Sequence, residues 1–315
     1  MTTADITGIL ESFVDYAASE GLTLESIAAA DGEEVLFEHH FTYDKPRNIY
    51  SHTKSYMATA VGIAIDEGKL SLDDRLADVF PDKVPADADP RIREIRLRHL
   101  LTMSSGFDTD YLMNAQRRAG VGFPDYVSFM LSREIKVDPG SRFHYSTADS
   151  IMAGRMVEEA VGMRLGAYLY EKLFRPMDMP FPLWENDPEG HPIGGGGMHL
   201  KLTDMMKLGQ LYLNKGTWKG ERIVSEAWVN EASRTQIDNA SFLEHPDIWV
   251  CGYGYQFWML PQPGAYRADG AFGQITAVLP GALDGKGIVV AIQNPEDGDF
   301  ERVKLAFNER VLNRL

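Results

Sequence analysis

Cysteine is nearly absent. One thiol, Cys251, in 315 residues excludes an intramolecular disulfide and a multi-cysteine metal centre. It lies in an aromatic, strand-like run, Trp249 to Trp258, which suits a buried structural thiol better than a nucleophile. Basic residues are short against acidic ones. The chain has 31 Lys and Arg against 46 Asp and Glu, a formal net charge of −15. Such a surface repels nucleic acid and anionic membranes, so neither is an expected partner. No apolar run is long enough to cross a bilayer. The N-terminus lacks a basic segment followed by an apolar one, so no signal peptide is evident and a cytoplasmic location is expected. Gly-x-Ser-x-Gly, His-Glu-x-x-His and Walker motifs are missing as well. That argues against an α/β-hydrolase, a zinc protease and a P-loop enzyme. The eight histidines show no ligand spacing, and neither a metal nor a cofactor is expected.

What is present is the composition of a soluble globular enzyme, 44% hydrophobic and 24% charged. The length suffices for one large core or two subdomains. Ile6, Ile9, Leu10, Phe13 and Ala17 recur at helical spacing and predict an opening amphipathic helix. Ser26–Ala30 and Val35–His39 flank Asp31-Gly32 and predict a hairpin. Helices are expected over Lys54–Glu67, Arg98–Met103, Asp149–Val161, Leu202–Leu213 and Ser225–Ala232. Strands are expected over Gly252–Leu260, Ala265–Ala268, Gln274–Leu279 and Gly287–Gln293, before a closing helix marked by Phe300, Val303, Phe307 and Val311. Strands at both ends with helices between predict one sheet domain interrupted by a helical insertion.

The chemistry-bearing pattern starts at Ser51-His52-Thr53-Lys54, where an apolar helix begins. Residues three apart share a helix face, so the amine can take the hydroxyl proton. Ser-x-x-Lys alone occurs by chance about once in a chain this long. A serine–lysine hydrolase also needs a second proton-handling group. Tyr145 is the candidate, in a short extended piece after the Pro139-Gly140 turn; the competing reading is a packing tyrosine. Backbone N–H groups for an oxyanion are sought at Gly270-Ala271-Phe272-Gly273, where the alternative is an ordinary strand with a glycine bulge.

The order Ser51-x-x-Lys54, Tyr145, Gly270-Ala271-x-Gly273 resembles the penicillin-recognising serine hydrolases: class C β-lactamases, D-alanyl-D-alanine peptidases and related esterases. The segments Asp66–Asp74, Leu97–Gly106, Pro139–Tyr145, Phe174–Met177, Gly195–Met198 and Gly220–Ser225 fit the same pattern in order. The resemblance implies a β-lactamase/transpeptidase-like α/β (α+β) fold, with an antiparallel sheet flanked by helices and an inserted helical domain. Residues 1–68 and 195–315 are then expected to form the sheet domain and 69–194 the helical one, with the active site in the cleft between them. It further implies Ser51 as nucleophile, Lys54 as general base and Tyr145 as proton shuttle. The N–H groups of Ser51 and Ala271, beside Gly270, are the implied oxyanion site. Members that bind penicillin usually carry Lys-Thr-Gly or His-x-Gly where this chain has Ala268-Asp269-Gly270, and often asparagine where it has Thr147. The sequence is similar here to the esterase and 6-aminohexanoate-oligomer hydrolase branch. A small ester or amide is the expected substrate. Alternatives are a β-lactamase or D-amino-acid peptidase, and a non-catalytic sensor of the same fold. Tyr253, Tyr255, Phe257 and Trp258 line an acyl or alcohol pocket on one reading and fill the sheet core on another.

Overall fold

The computed structural model describes residues 1–240 and 251–315. Thr2 opens the first helix. Its hydroxyl accepts from the Asp5 N–H at 3.3 Å, while the Asp5 carboxylate accepts from the Thr2 N–H at 2.8 Å. This reciprocal cap starts α1, Thr3–Ser19, whose buried residues are the five that the helical spacing singles out. Strands β1 (Ser26–Ala30) and β2 (Val35–His40) form the predicted hairpin. The Asp31 carboxylate closes its turn by accepting from the N–H groups of Glu33 and Glu34, at 2.8 and 2.7 Å.

The expected strand over Gly252–Leu260 shrinks to β3, Trp258–Met259. Gly252 and Gln256 both take positive φ, at 106° and 65°, which breaks the extended run. Gln256 is buried, and its side chain is tied down on two sides. It accepts from Ser150 Oγ at 2.7 Å and donates to the Leu101 carbonyl at 2.8 Å. Cys251 is half-buried rather than buried, and Trp249 lies outside the described residues. Strands β4 (Tyr266–Gly270), β5 (Gln274–Leu279) and β6 (Ile288–Gln293) follow. The sheet order is β2-β1-β6-β5-β4-β3, with every neighbouring pair antiparallel. The first two strands therefore join the last four, as the distribution of strand signals predicts.

Four further long helices matter for the site and the sheet. They are α2 (Thr53–Asp66), α3 (Thr147–Val161), α4 (Leu202–Leu213) and α5 (Phe300–Arg310). On one face, α1 and α5 bury Ile6, Leu10, Phe13, Val303 and Phe307 against Ile27, Ile275, Val290 and Ile292. Each such side chain contributes about 1.5–3 kcal/mol when fully buried. On the other face, α4 rests on β1, β5 and β6. Gly209 permits the close approach: a Cβ there would lie 2.4 Å from Val289 Cγ1. Helix α2 is buried from Thr53 to Ala64 and packs against both α3 and β4. A helix apolar on all sides belongs inside a protein, and this one carries Lys54 into the core. No described helix is long and apolar enough to cross a membrane.

Candidate active site

Ser51 sits in a single 3-10 turn, Tyr50–His52, immediately before α2. Tyr50 has φ 47°, and its N–H donates to Asn48 Oδ1 at 2.9 Å. The turn is held from two sides. The Ile49 N–H donates to the Met198 carbonyl at 2.8 Å. Gly270 at the end of β4 lies so close that a Cβ would stand 2.1 Å from the Ile49 oxygen. Any side chain at position 270 would push the serine turn away from the strand. His52 adjoins Ser51 in sequence, but its Nε2 lies 2.9 Å from Thr276 Oγ1. Burial pushes the His52 pKa down to about 3, so the ring is neutral.

Lys54 is 1% exposed. Its Nζ lies 3.2 Å from Ser51 Oγ, 2.6 Å from the Gly195 carbonyl and 3.5 Å from Thr147 Oγ1. All three are neutral oxygens. Burial pushes the amine pKa down to about 7; the charge of Arg117 acts in the same direction and Asp149 acts against both. Roughly half of such a group is neutral at pH 7, against about 1 in 3,000 for an ordinary lysine.

Tyr145 arrives as expected on a short irregular piece just before α3. The Leu97–Gly106 segment holds that piece, for the His144 N–H donates to the Met103 carbonyl at 2.8 Å. The Lys54 Nζ stands 5.1 Å from the centre of the Tyr145 ring, and the Tyr145 hydroxyl is hydrogen-bonded to Ser51. Burial raises the phenol pKa well above its usual value, with the Ser51 bond acting the other way, so Tyr145 keeps its proton at neutral pH. Ser51, Lys54 and Tyr145 are thus brought together. Gly270 ends β4, and the exposed Ala271 begins a 3-10 turn in which Phe272 has φ 61°. The Phe272 ring packs on Tyr50 at 4.9 Å, so this turn abuts the serine turn.

The aromatic run divides between two buried clusters. Trp258 and Tyr253 join Phe143 and Met103 around Tyr145, with Trp258 5.3 Å from the Tyr145 ring. Tyr255 stacks on Trp228 at 5.6 Å and Phe257 packs on Tyr212 at 4.7 Å, both within the main core. Where penicillin-binding members place a cation, Ala268 is buried in that same core. Two cations do lie nearby, but both face Asp269: Arg267 Nε at 3.0 Å and Lys304 Nζ at 3.7 Å.

Gly195, the first residue of one family-like segment, supplies an oxygen to Lys54. Two further contributors carry no motif signal: Arg117 supplies a charge, and Asp149 lies buried one turn beyond Tyr145. Ser146-x-x-Asp149 has the spacing of a helix cap, and Ser146 Oγ does accept from the Asp149 N–H at 3.1 Å. Among the described residues, Asp187, Glu189 and His191 offer atoms within 4.8 Å of one another, a spacing that a metal ion accepts. A guanidinium already supplies positive charge there: Arg155 Nη1 lies 3.6 Å from Asp187 and 3.8 Å from Glu189.

An α/β protein of the β-lactamase/transpeptidase-like fold is defined by this sheet, its covering helices and the serine turn beneath β4. Residues 26–311 match the beta-lactamase family model, and the chain belongs to that family of serine hydrolases. It is 27% identical over 219 residues to a 6-aminohexanoate-dimer hydrolase of Paenarthrobacter ureafaciens, covering 63% of this chain and 54% of that one. The chain thus spans about half the length of that relative. It is 24% identical over 273 residues to penicillin-binding protein 4 of Amycolatopsis lactamdurans, covering 77% of this chain and 70% of the relative. The solved structure of EstCE1, a hydrolase with promiscuous acyltransferase activity, superposes with a TM-score of 0.78 at 18% identity, over 98% of this chain and 99% of the other. An octameric penicillin-binding protein homologue from Pyrococcus abyssi does so with 0.70 at 20% identity, over 98% and 77%. At those identities the likeness is one of fold.

Proposed function

We infer that the protein is a serine hydrolase that cleaves small carboxylic esters or amides through an acyl-enzyme on Ser51. The observation that carries this reading is the buried Lys54 amine 3.2 Å from Ser51 Oγ, surrounded by neutral oxygens. A neutral amine has two N–H donors and one lone pair. The Gly195 carbonyl can only accept, and Thr147 Oγ1 can accept the second N–H. The lone pair is then left for the Ser51 proton. As Ser51 Oγ attacks the substrate carbonyl, its proton passes to Lys54. The N–H groups of Ser51 and Ala271 receive the oxyanion. Each such donor is worth about 100- to 1,000-fold in rate. Tyr145, still protonated, delivers a proton to the leaving group and recovers it through Lys54. In deacylation the same pair activates water.

On this reading residues 1–68 and 195–315 form a sheet domain, 69–194 form a helical domain, and the substrate enters the cleft between them. The substrate is a small molecule. Ala268 and the engaged Asp269 leave no free cation at the strand position where a β-lactam or peptide carboxylate is held in the penicillin-binding relatives. Esters and small amides are therefore favoured over those substrates.

The test is hydrolysis of p-nitrophenyl acetate and butyrate beside nitrocefin, with intact mass after fluorophosphonate treatment. Wild type is expected to turn over the esters, discriminate against nitrocefin and gain one adduct. Ser51→Ala is expected to lose turnover and adduct together. Unchanged ester hydrolysis in that variant would sink the assignment.

A further inference from the structure

The mechanism above leaves a buried acid close to the site unused. Asp149 is 1% exposed and lies in the first turn of α3, the helix whose Thr147 touches Lys54. Its carboxylate accepts from Ser105 Oγ at 2.8 Å and from the Ser105 N–H at 3.4 Å, and it is also hydrogen-bonded by the Ser146 side chain. Ser105 belongs to the same segment whose Met103 carbonyl fixes the Tyr145 piece. The acid is therefore built into the scaffold that holds both Tyr145 and Thr147. Hydroxyls can steady a buried carboxylate, but they do not neutralise it.

We propose that Asp149, held by Ser105, is a positioning residue that supplies the countercharge for the Lys54 ammonium formed during acylation. The inference rests on the reading of Lys54 as base. Once Lys54 takes the Ser51 proton, a buried cation has appeared among neutral oxygens. A carboxylate within electrostatic reach lowers the cost of that state and keeps the amine basic enough to accept the proton. Proton and charge balance within the site: Ser51 Oγ loses the proton that Lys54 Nζ gains, and in the molecules that react Asp149 is ionised and keeps its charge.

The surrounding charges are consistent with this role. Arg117, beside the site on the short helix Asn114–Arg118, opposes protonation of Lys54, but its guanidinium is already bonded to Glu185 at 2.9 Å. Tyr145 and Tyr253 both hold their protons, with phenol pKa values raised chiefly by burial. Asp269 is engaged with Arg267 and Lys304. Arg155, two turns along α3, pairs with Glu158 at 3.3 Å. Asp149 counters burial at Lys54, and because burial raises its own pKa to about 7 it carries that charge in full only above neutral pH.

The experiment is the pH profile of kcat/KM on p-nitrophenyl acetate for wild type, Asp149→Asn, Asp149→Glu and Ser105→Ala. Removing the anion makes Lys54 less basic. The acid limb of Asp149→Asn is therefore expected to move about one unit to lower pH, with kcat on the plateau about tenfold lower and KM little changed. Asp149→Glu is expected to return the limb towards its wild-type position. Ser105→Ala, which leaves the acid less ionised, should shift the limb the same way by less. A limb unmoved in a folded Asp149→Asn protein overturns the proposal. If that variant does not fold, an unmoved limb in Ser105→Ala overturns it. The fluorophosphonate adduct on wild type, and its loss in Ser51→Ala, separately tests the reading beneath it.

Discussion

Lys54 and Lys304 are both buried, on opposite faces of one sheet, and the contrast between them shows how neighbouring oxygens set the state of a buried amine. Lys304 on α5 faces the Asp269 carboxylate at 3.7 Å, beside Arg267. Lys54 on α2 faces a hydroxyl, a second hydroxyl and a carbonyl. Burial pushes both pKa values down, but at Lys304 the carboxylate in the same cluster works against it. One lysine is a structural ion held by its partner. The other is kept without a contacting carboxylate, so its lone pair remains available near neutral pH. Burial alone does not distinguish them; the identity of the nearest oxygens does.

The largest expected break in this comparison is Lys54→Met. On the proposed reading of Lys54 as base, its loss should lower kcat/KM by about 1,000-fold or more. The same variant should be more stable at pH 7. A lysine with a depressed folded pKa binds fewer protons folded than unfolded between about pH 7 and its ordinary value of 10.5. Its penalty is therefore full below pH 7 and fades as pH rises towards the ordinary value. Urea unfolding should show a gain of about 1–3 kcal/mol at pH 7 and a flatter pH dependence. Equal stability of the two proteins at pH 7 would mean that Lys54 is not depressed.

Asp269→Asn attacks the other lysine. It leaves Arg267 and Lys304 buried without their carboxylate and is expected to cost about 3–5 kcal/mol in the same unfolding measurement. The folded fraction should keep its acid limb, since Lys54 is untouched; a moved limb would couple two clusters that the comparison separates. The smallest effect is expected from Tyr145→Phe. It removes one hydroxyl and keeps the ring on Trp258, so kcat should fall about 100-fold with stability within about 1 kcal/mol. Parallel stopped-flow and unfolding data check both halves.

Much of this site was legible in the chain. Ser51, Lys54 and Tyr145 meet because two helix starts, at Thr53 and Thr147, converge, and both starts are visible as the onset of helical periodicity. Gly270 ends a strand because only a residue without a side chain fits against the Ile49 oxygen. The strand over Gly252–Leu260 was misread for a definite reason. Alternating aromatics look alike in a sheet and in a loop that fills two pockets, and the buried Gln256 bonds that force the loop involve partners far away in sequence. Asp149 and Arg117 stayed hidden for a related cause. An acid at a helix start and a basic residue on a short surface helix are commonplace, and only packing gives them a common target in Lys54.

The strand order carries a consequence for biosynthesis. β1 is made long before β6, yet β6 is its inner neighbour, and Ser26 pairs with Gln293. β1 and β2 therefore emerge as a lone hairpin with an unpaired edge while more than two hundred residues are still to come. Isolated hairpins are marginal in water, and exposed edges recruit other chains. The serine turn waits as well, since the strand that clamps it at Gly270 is also made late. A ribosome stalled before β6 would hold a chain with every residue of the Ser51–Lys54–Tyr145 cluster and no finished sheet to support it.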